Sequence, residues 1–210
     1  MSTNRKTRTD AKSITDFSRL EKMHPYKTLV FFGLVGSTIL FLSRTFLYCV
    51  TRSRTQLLPD FHIPKAFSVS TVFLLLSSFS ISGILRAYKN DGITEIRNRL
   101  AGTVALGTIF CFTQVYGWLQ LYESGIFLST NVGVAYLYVI TGMHFVHVVA
   151  GLIYIALLTY RVSAKKNDVV KSLLYFTDGF QYTRLQLISI CWHFVDVLWI
   201  VLFFVFLFSF

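Results

Sequence analysis

Apolar residues fall into five long runs along the chain, at about 28–50, 66–85, 100–121, 132–160 and 187–210, with short polar segments between them. Each run has about 20 residues or more, the length at which a helix crosses ~30 Å of hydrocarbon. Inside a bilayer every backbone amide must be bonded within its own segment, which selects the helix. The pattern therefore predicts an all-α, polytopic membrane protein: a polar basic tail over 1–27, then a bundle of five transmembrane helices over 28–210. The fourth run, at 1.5 Å per residue, extends ~42 Å and has to tilt or protrude.

The breaks carry turn chemistry. Pro59 and Pro64 favour an extended path after the first run, Asp91-Gly92 is a turn signal after the second, and Ser124-Gly125 follows the third. Within the runs, Ser77, Ser78, Ser80, Ser82 and Gly83, and later Gly102 and Gly107, are the small residues that let helices approach closely in lipid. Gln114 in the third run is expected to make an interhelical hydrogen bond. Arg44 lies inside the first run, and either snorkels outward or contacts a partner subunit. A short surface helix near Ile14–Met23 is expected in the tail.

Charge changes the picture in one respect. A net charge of +10 could indicate a nucleic-acid binder, but the basic residues are scattered over the segments between apolar runs and no interleaved aromatics offer a stacking surface. A bilayer accounts for them better. With five crossings, the tail, the second-to-third link and the fourth-to-fifth loop share one side, and these hold sixteen of the twenty Lys and Arg residues. The positive-inside rule then places the N-terminus in the cytoplasm and Phe210 at the periplasmic face. The first 27 residues do not have the form of a secretory signal. Cys49, Cys111 and Cys191 are isolated and read as packing residues.

Two runs hold ionisable pairs. His193 and Asp196, within Trp192-His193-Phe194-Val195-Asp196-Val197-Leu198-Trp199, and His144 and His147, within Thr141-Gly142-Met143-His144-Phe145-Val146-His147-Val148, are each spaced i, i+3 and share a helical face. A charge facing lipid at mid-membrane costs about 3 kcal/mol or more, so both faces should point into protein. Counted from the basic loop, Asp196 lies 12 residues beyond Arg184 and His147 lies 14 before Arg161, within one helical turn of the same depth. The fourth and fifth helices are thus expected to pack antiparallel with Asp196 near His147 or His144. Three imidazoles and a carboxylate could instead hold a metal, but a structural polar network of His144, His147, His193, Asp196 and Gln114 is the expectation, with no catalytic residue and no metal ligand. No nucleophile elbow, phosphate-cradling glycine loop or metalloprotease motif occurs.

The paired signatures TG-x-H-x-x-HV and WHFVD-x-x-W resemble subunit III of the haem-copper respiratory oxidases. From His24-Pro25 onward the resemblance also includes Leu58-Pro59, Ser70-Thr71, Ser77-Ser78 and Gln114. It is to the shortened bacterial type, with five helices instead of seven. It implies an accessory, non-redox subunit of a cytochrome c oxidase, in a bacterial inner membrane, supporting oxygen reduction coupled to proton pumping in the catalytic subunit I. Haem and copper would then reside in partner subunits and none in this chain, phospholipid would be bound, and a respiratory supercomplex would be a further assembly. Arg44, Arg161, Trp192 and Trp199 would contact lipid or neighbouring subunits. The equivalent subunit of a quinol oxidase is the alternative; a stand-alone membrane haem or metal protein is a third reading. Two family glutamates are missing: Gly36, Ser37 or Thr38 stands at one position and Gln186 at the other.

Overall fold

The computed structural model describes residues 25–54, 65–128, 132–165, 173, 175–177 and 179–207; the expected tail helix at Ile14–Met23 lies outside them. Among the described residues six α-helices have defined bounds: α1 Pro25–Arg54, α2 Lys65–Ser82, α3 Ile84–Lys89, α4 Ile93–Glu123, α5 Val132–Lys165 and α6 Gly179–Leu207; 173 and 175–177 are helical as well. No strand occurs among the described residues. With α2 and α3 counted together as Ala66–Lys89, five helices among the described residues are long and apolar enough to cross a membrane.

Several helices run past the apolar stretches that announce them. α4 begins seven residues before Leu100, because Glu95 and Arg99 form an i, i+4 ion pair at 2.9 Å on its first turns and extend the helix with charged residues. α6 likewise begins at Gly179, well before Leu187. The turn expected at Asp91-Gly92 is present and tight. The Gly92 amide donates to the Ala87 carbonyl at 3.0 Å, and Asp91 takes a left-handed φ of 52°, which a short polar side chain tolerates.

The chain divides into two units, Met1–Thr38 and Ile39–Phe210. In the first, the start of α1 carries exposed apolar side chains, Leu29, Phe31 and Phe32. In the second, α2 packs on α4, α4 on α5, α5 on α6, and α6 on α2, so four helices close a ring. The remainder of α1 joins this ring through aromatic edges: Phe41 meets His147 at 5.5 Å and Tyr48 meets Phe206 at 5.4 Å between ring centroids.

Close approach around Trp192 depends on glycine at two positions. A Cβ on Gly107 would lie 2.8 Å from Leu152 Cδ1 and 3.2 Å from the Trp192 ring, and one on Gly151 would lie 3.3 Å from the same ring. The Trp192 indole fills the space that these two backbones leave. At the ring's polar end, the Arg99 guanidinium lies against Gly83 and donates to the Ser80 carbonyl at 3.4 Å, while the Ser80 hydroxyl donates to the Arg99 carbonyl at 3.0 Å.

Candidate functional site

The polar contents of the ring are built from α6 and α2 outward. On α2, Thr71 and Ser78, seven apart, lie on one helical face, and Ser77 borders it. α6 presents Trp192, His193 and Trp199 to it. Trp192 Nε1 donates to Ser77 Oγ at 3.0 Å, Trp199 Nε1 donates to Thr71 Oγ1 at 3.0 Å, and His193 Nδ1 and Ser78 Oγ are 2.7 Å apart. As numbering rises on α6 it falls on α2, so the two helices are antiparallel.

Each accepting hydroxyl is itself tied down. Ser77 Oγ donates to the Leu74 carbonyl at 2.7 Å and Thr71 Oγ1 to the Phe67 carbonyl at 2.8 Å. A hydroxyl can donate one proton and accept on its lone pairs, so back-bonding to its own helix orients it to receive an indole N–H. The third tryptophan repeats the device elsewhere in the ring: Trp118 Nε1 on α4 donates to Thr141 Oγ1 on α5 at 3.2 Å, and Thr141 donates to the Leu137 carbonyl at 2.8 Å. All three tryptophans of the chain are thus used as helix-to-helix bonds.

His144 and Asp196 are both buried, at 0% and 2% exposure. The His144 ring lies over Trp199, with centroids 4.9 Å apart and planes inclined by 30°, and it meets the edges of Phe110 at 6.2 Å and Phe41 at 6.3 Å. Neither of its nitrogens has a hydrogen-bond partner. Asp196 sits on α6 between Trp192 and Trp199. Neither of its oxygens meets hydrogen-bond geometry, although the Ser78 hydroxyl is close enough to interact with the carboxyl.

The structure corrects the expected acid–imidazole contact. Among the described residues the ion pair within 4.0 Å is Arg99–Glu95, and Asp196 bonds to neither His144 nor His147. α5 and α6 do pack, at the depth the count gave, but the rotation of α6 sets the Trp199 indole against His144 and carries Asp196 to the Ser78 side. His147 instead pairs Nδ1 with the Met143 carbonyl of its own helix at 2.8 Å, which satisfies the imidazole locally. Gln114 is fully buried, with Ser70 Oγ 3.5 Å from its Oε1 and no acceptor for its Nε2, so its interhelical bond is a long one.

The named arginines separate. Arg161 and Arg184 line a cavity of about 470 Å³ with Tyr160, Tyr175 and Gln181; Arg184 Nε donates to Tyr154 Oη at 2.7 Å and its guanidinium lies over that ring at 5.3 Å. Arg44 is exposed on α1. Reading the sequence alone missed Trp118 and Thr141 as a bonded pair, and missed Tyr154. The signal for the first was available, because a tryptophan and a threonine inside apolar runs each need a polar partner.

These features define a class: a polytopic helical membrane protein whose intramembrane polar groups are spent largely on joining its own helices. Among the described residues no three His, Cys, Asp or Glu side chains gather into a metal-holding group. The chain belongs to the cytochrome c oxidase subunit III family, whose model matches residues 55–210. It is 30% identical over 142 residues to a cytochrome c oxidase subunit 3 of Corynebacterium diphtheriae, a match covering 68% of this chain and 64% of that protein. It is 34% identical over 136 residues to a cytochrome c oxidase subunit 3 of Thermostichus vulcanus, covering 65% and 62%. A cytochrome bo(3) ubiquinol oxidase subunit 3 of Buchnera aphidicola is 28% identical over 142 residues, covering 67% and 68%. The chain thus spans somewhat less than two thirds of the first two relatives.

Proposed function

We propose that the chain is the accessory, non-redox subunit III of a respiratory haem-copper oxidase, a cytochrome c oxidase in which oxygen reduction and proton pumping take place in neighbouring subunits. Its work is to pack against the catalytic subunit, stabilise it and sustain proton uptake. The observation that carries this is the disposition of the two signature motifs. Trp192, His193 and Trp199 are engaged with α2, His144 lies against Trp199, and His147 is closed on its own helix. Side chains so committed serve a scaffold, and the family match agrees. Haem and copper belong to the partners in this reading. The N-terminus lies in the cytoplasm and the C-terminus in the periplasm of a bacterial inner membrane, as the distribution of Lys and Arg favours.

The cavity at Arg161 and Arg184 is the place for phospholipid. Two guanidiniums beside tyrosines, next to the ends of membrane-crossing helices, suit the phosphate of a headgroup. A further assembly into a respiratory supercomplex belongs to the same reading.

Mild solubilisation tests the proposal. The chain should co-purify with subunits carrying haem and copper; a chain recovered without either would refute it. The ubiquinol oxidase relative supports one second reading, subunit III of a quinol oxidase. Copper in the co-purified complex separates the two: a two-copper electron-entry site favours cytochrome c, and its absence favours quinol.

A further inference from the structure

We infer that Arg44 is the docking point of α1 on a neighbouring oxidase subunit, its guanidinium pairing with a carboxylate on a membrane helix of that subunit. The inference rests on the reading of the chain as an oxidase subunit. Arg44 lies within the span Lys27–Thr51, seven residues before its end, which sets its Cα ~10 Å inside that end at 1.5 Å per residue. Its side chain is exposed on the surface of the chain, and no acceptor meets it among the described residues. Leu40 and Leu47, one turn away on either side, are also exposed and offer nothing polar. A guanidinium stays protonated at any biological pH, so the charge cannot be relieved by losing a proton.

Beyond the described residues two kinds of refuge remain, the membrane boundary with its headgroups and loops, and an acceptor on another protein at the depth of the helix; side-chain direction decides between them. Cα–Cβ bonds on a helix tilt toward its N-terminus, and long side chains follow. Because Arg44 sits in the last third of its span, its stem leans toward mid-membrane and away from the nearer boundary, whichever way α1 is oriented. A phospholipid phosphate lies at that boundary; a carboxylate on an adjacent helix can lie at the depth the stem reaches. Such an acid is itself barred from lipid, so the two charges complement each other. Phe41 and Tyr48, three and four residues away, are buried against α5 and α6. Arg44 therefore stands beside the face that fixes α1 to its own bundle, where its position is held.

The test uses the membrane-embedded complex. A photo-reactive p-benzoylphenylalanine introduced at position 44 should crosslink to another oxidase subunit on illumination. Arg44→Leu should weaken retention of the chain with the haem-bearing subunits by about 30-fold or more, as removing one partner of a buried charge pair does, and Arg44→Lys should restore much of it. Crosslinks confined to lipid, or retention of Arg44→Leu equal to the unsubstituted chain, would overturn the inference. If Arg44→Leu fails to accumulate, the crosslinking arm alone decides. Failure of the unsubstituted chain to co-purify with haem and copper would instead sink the oxidase reading, and this inference with it.

Discussion

Removing only the indole N–H of Trp199 isolates what one of the helix-to-helix bonds contributes. Trp199→Phe keeps an aromatic ring for His144, Phe110 and Phe67 to pack on, with centroids now 4.9, 5.4 and 6.3 Å away, and deletes the donor to Thr71 Oγ1 at 3.0 Å. Thr71 still donates to the Phe67 carbonyl, so the change leaves a vacant lone pair and no stranded donor. Interhelical hydrogen bonds in membranes contribute about 0.6 kcal/mol on average and reach about 1.7; with Trp199 buried and Thr71 half-buried, this one falls within that range. Loss of ring volume adds a packing cost, which a double-mutant cycle with Thr71→Val removes. The cycle should give a coupling of roughly 1 kcal/mol, read from unfolding equilibria in mixed micelles with helix content as the probe. Strictly additive single and double variants would refute the bond. Trp199→Ala in the same assay should cost about 3–5 kcal/mol, because it opens a cavity.

Three further outcomes follow from the same geometry. Gly107→Ala should destabilise the bundle by about 1–3 kcal/mol through collision with Leu152 and Trp192, whereas Gly142→Ala, with nothing within 4 Å, should be neutral or slightly stabilising in the same unfolding assay. Asp196→Asn should leave bundle stability within about 1 kcal/mol, since the carboxyl gives up no hydrogen bond meeting geometric criteria; a loss above about 3 kcal/mol would mean that the acid holds a partner. His193→Phe should loosen the α2–α6 contact by losing the Ser78 bond at 2.7 Å, while His144→Phe should be tolerated, because that ring packs on Trp199 without using its nitrogens.

The five crossings were legible because hydrocarbon thickness sets a length that the apolar runs match. Helix ends were not, since hydropathy reports where the membrane is and says little of where a helix stops: Glu95 and Arg99 continue α4 with an ion pair in a segment whose polarity reads as a loop. The inward faces of the motif helices were legible from the i, i+3 spacing. Partner choice was not. Counting residues from a shared loop fixes depth along the bundle and leaves rotation about each helix axis free, so the count brought His144 and α6 to one level without showing that Trp199, three residues from Asp196, would be the one to meet it. The hydroxyl row of α2 was visible as small residues; its use as an acceptor row depends on Trp192 and Trp199, seven apart, arriving opposite Ser77 and Thr71, six apart.

The central claim of the proposed function is that the two signature motifs serve helix packing, through Trp192, His193 and Trp199 bonded to α2 and His144 against Trp199, and hold no redox centre. Metal analysis and visible absorbance of the chain after separation from its haem-bearing partners test this directly. The account predicts no Soret band and iron and copper well below one per chain; haem or metal at one per chain, lost on substituting His144 or His193, would contradict it.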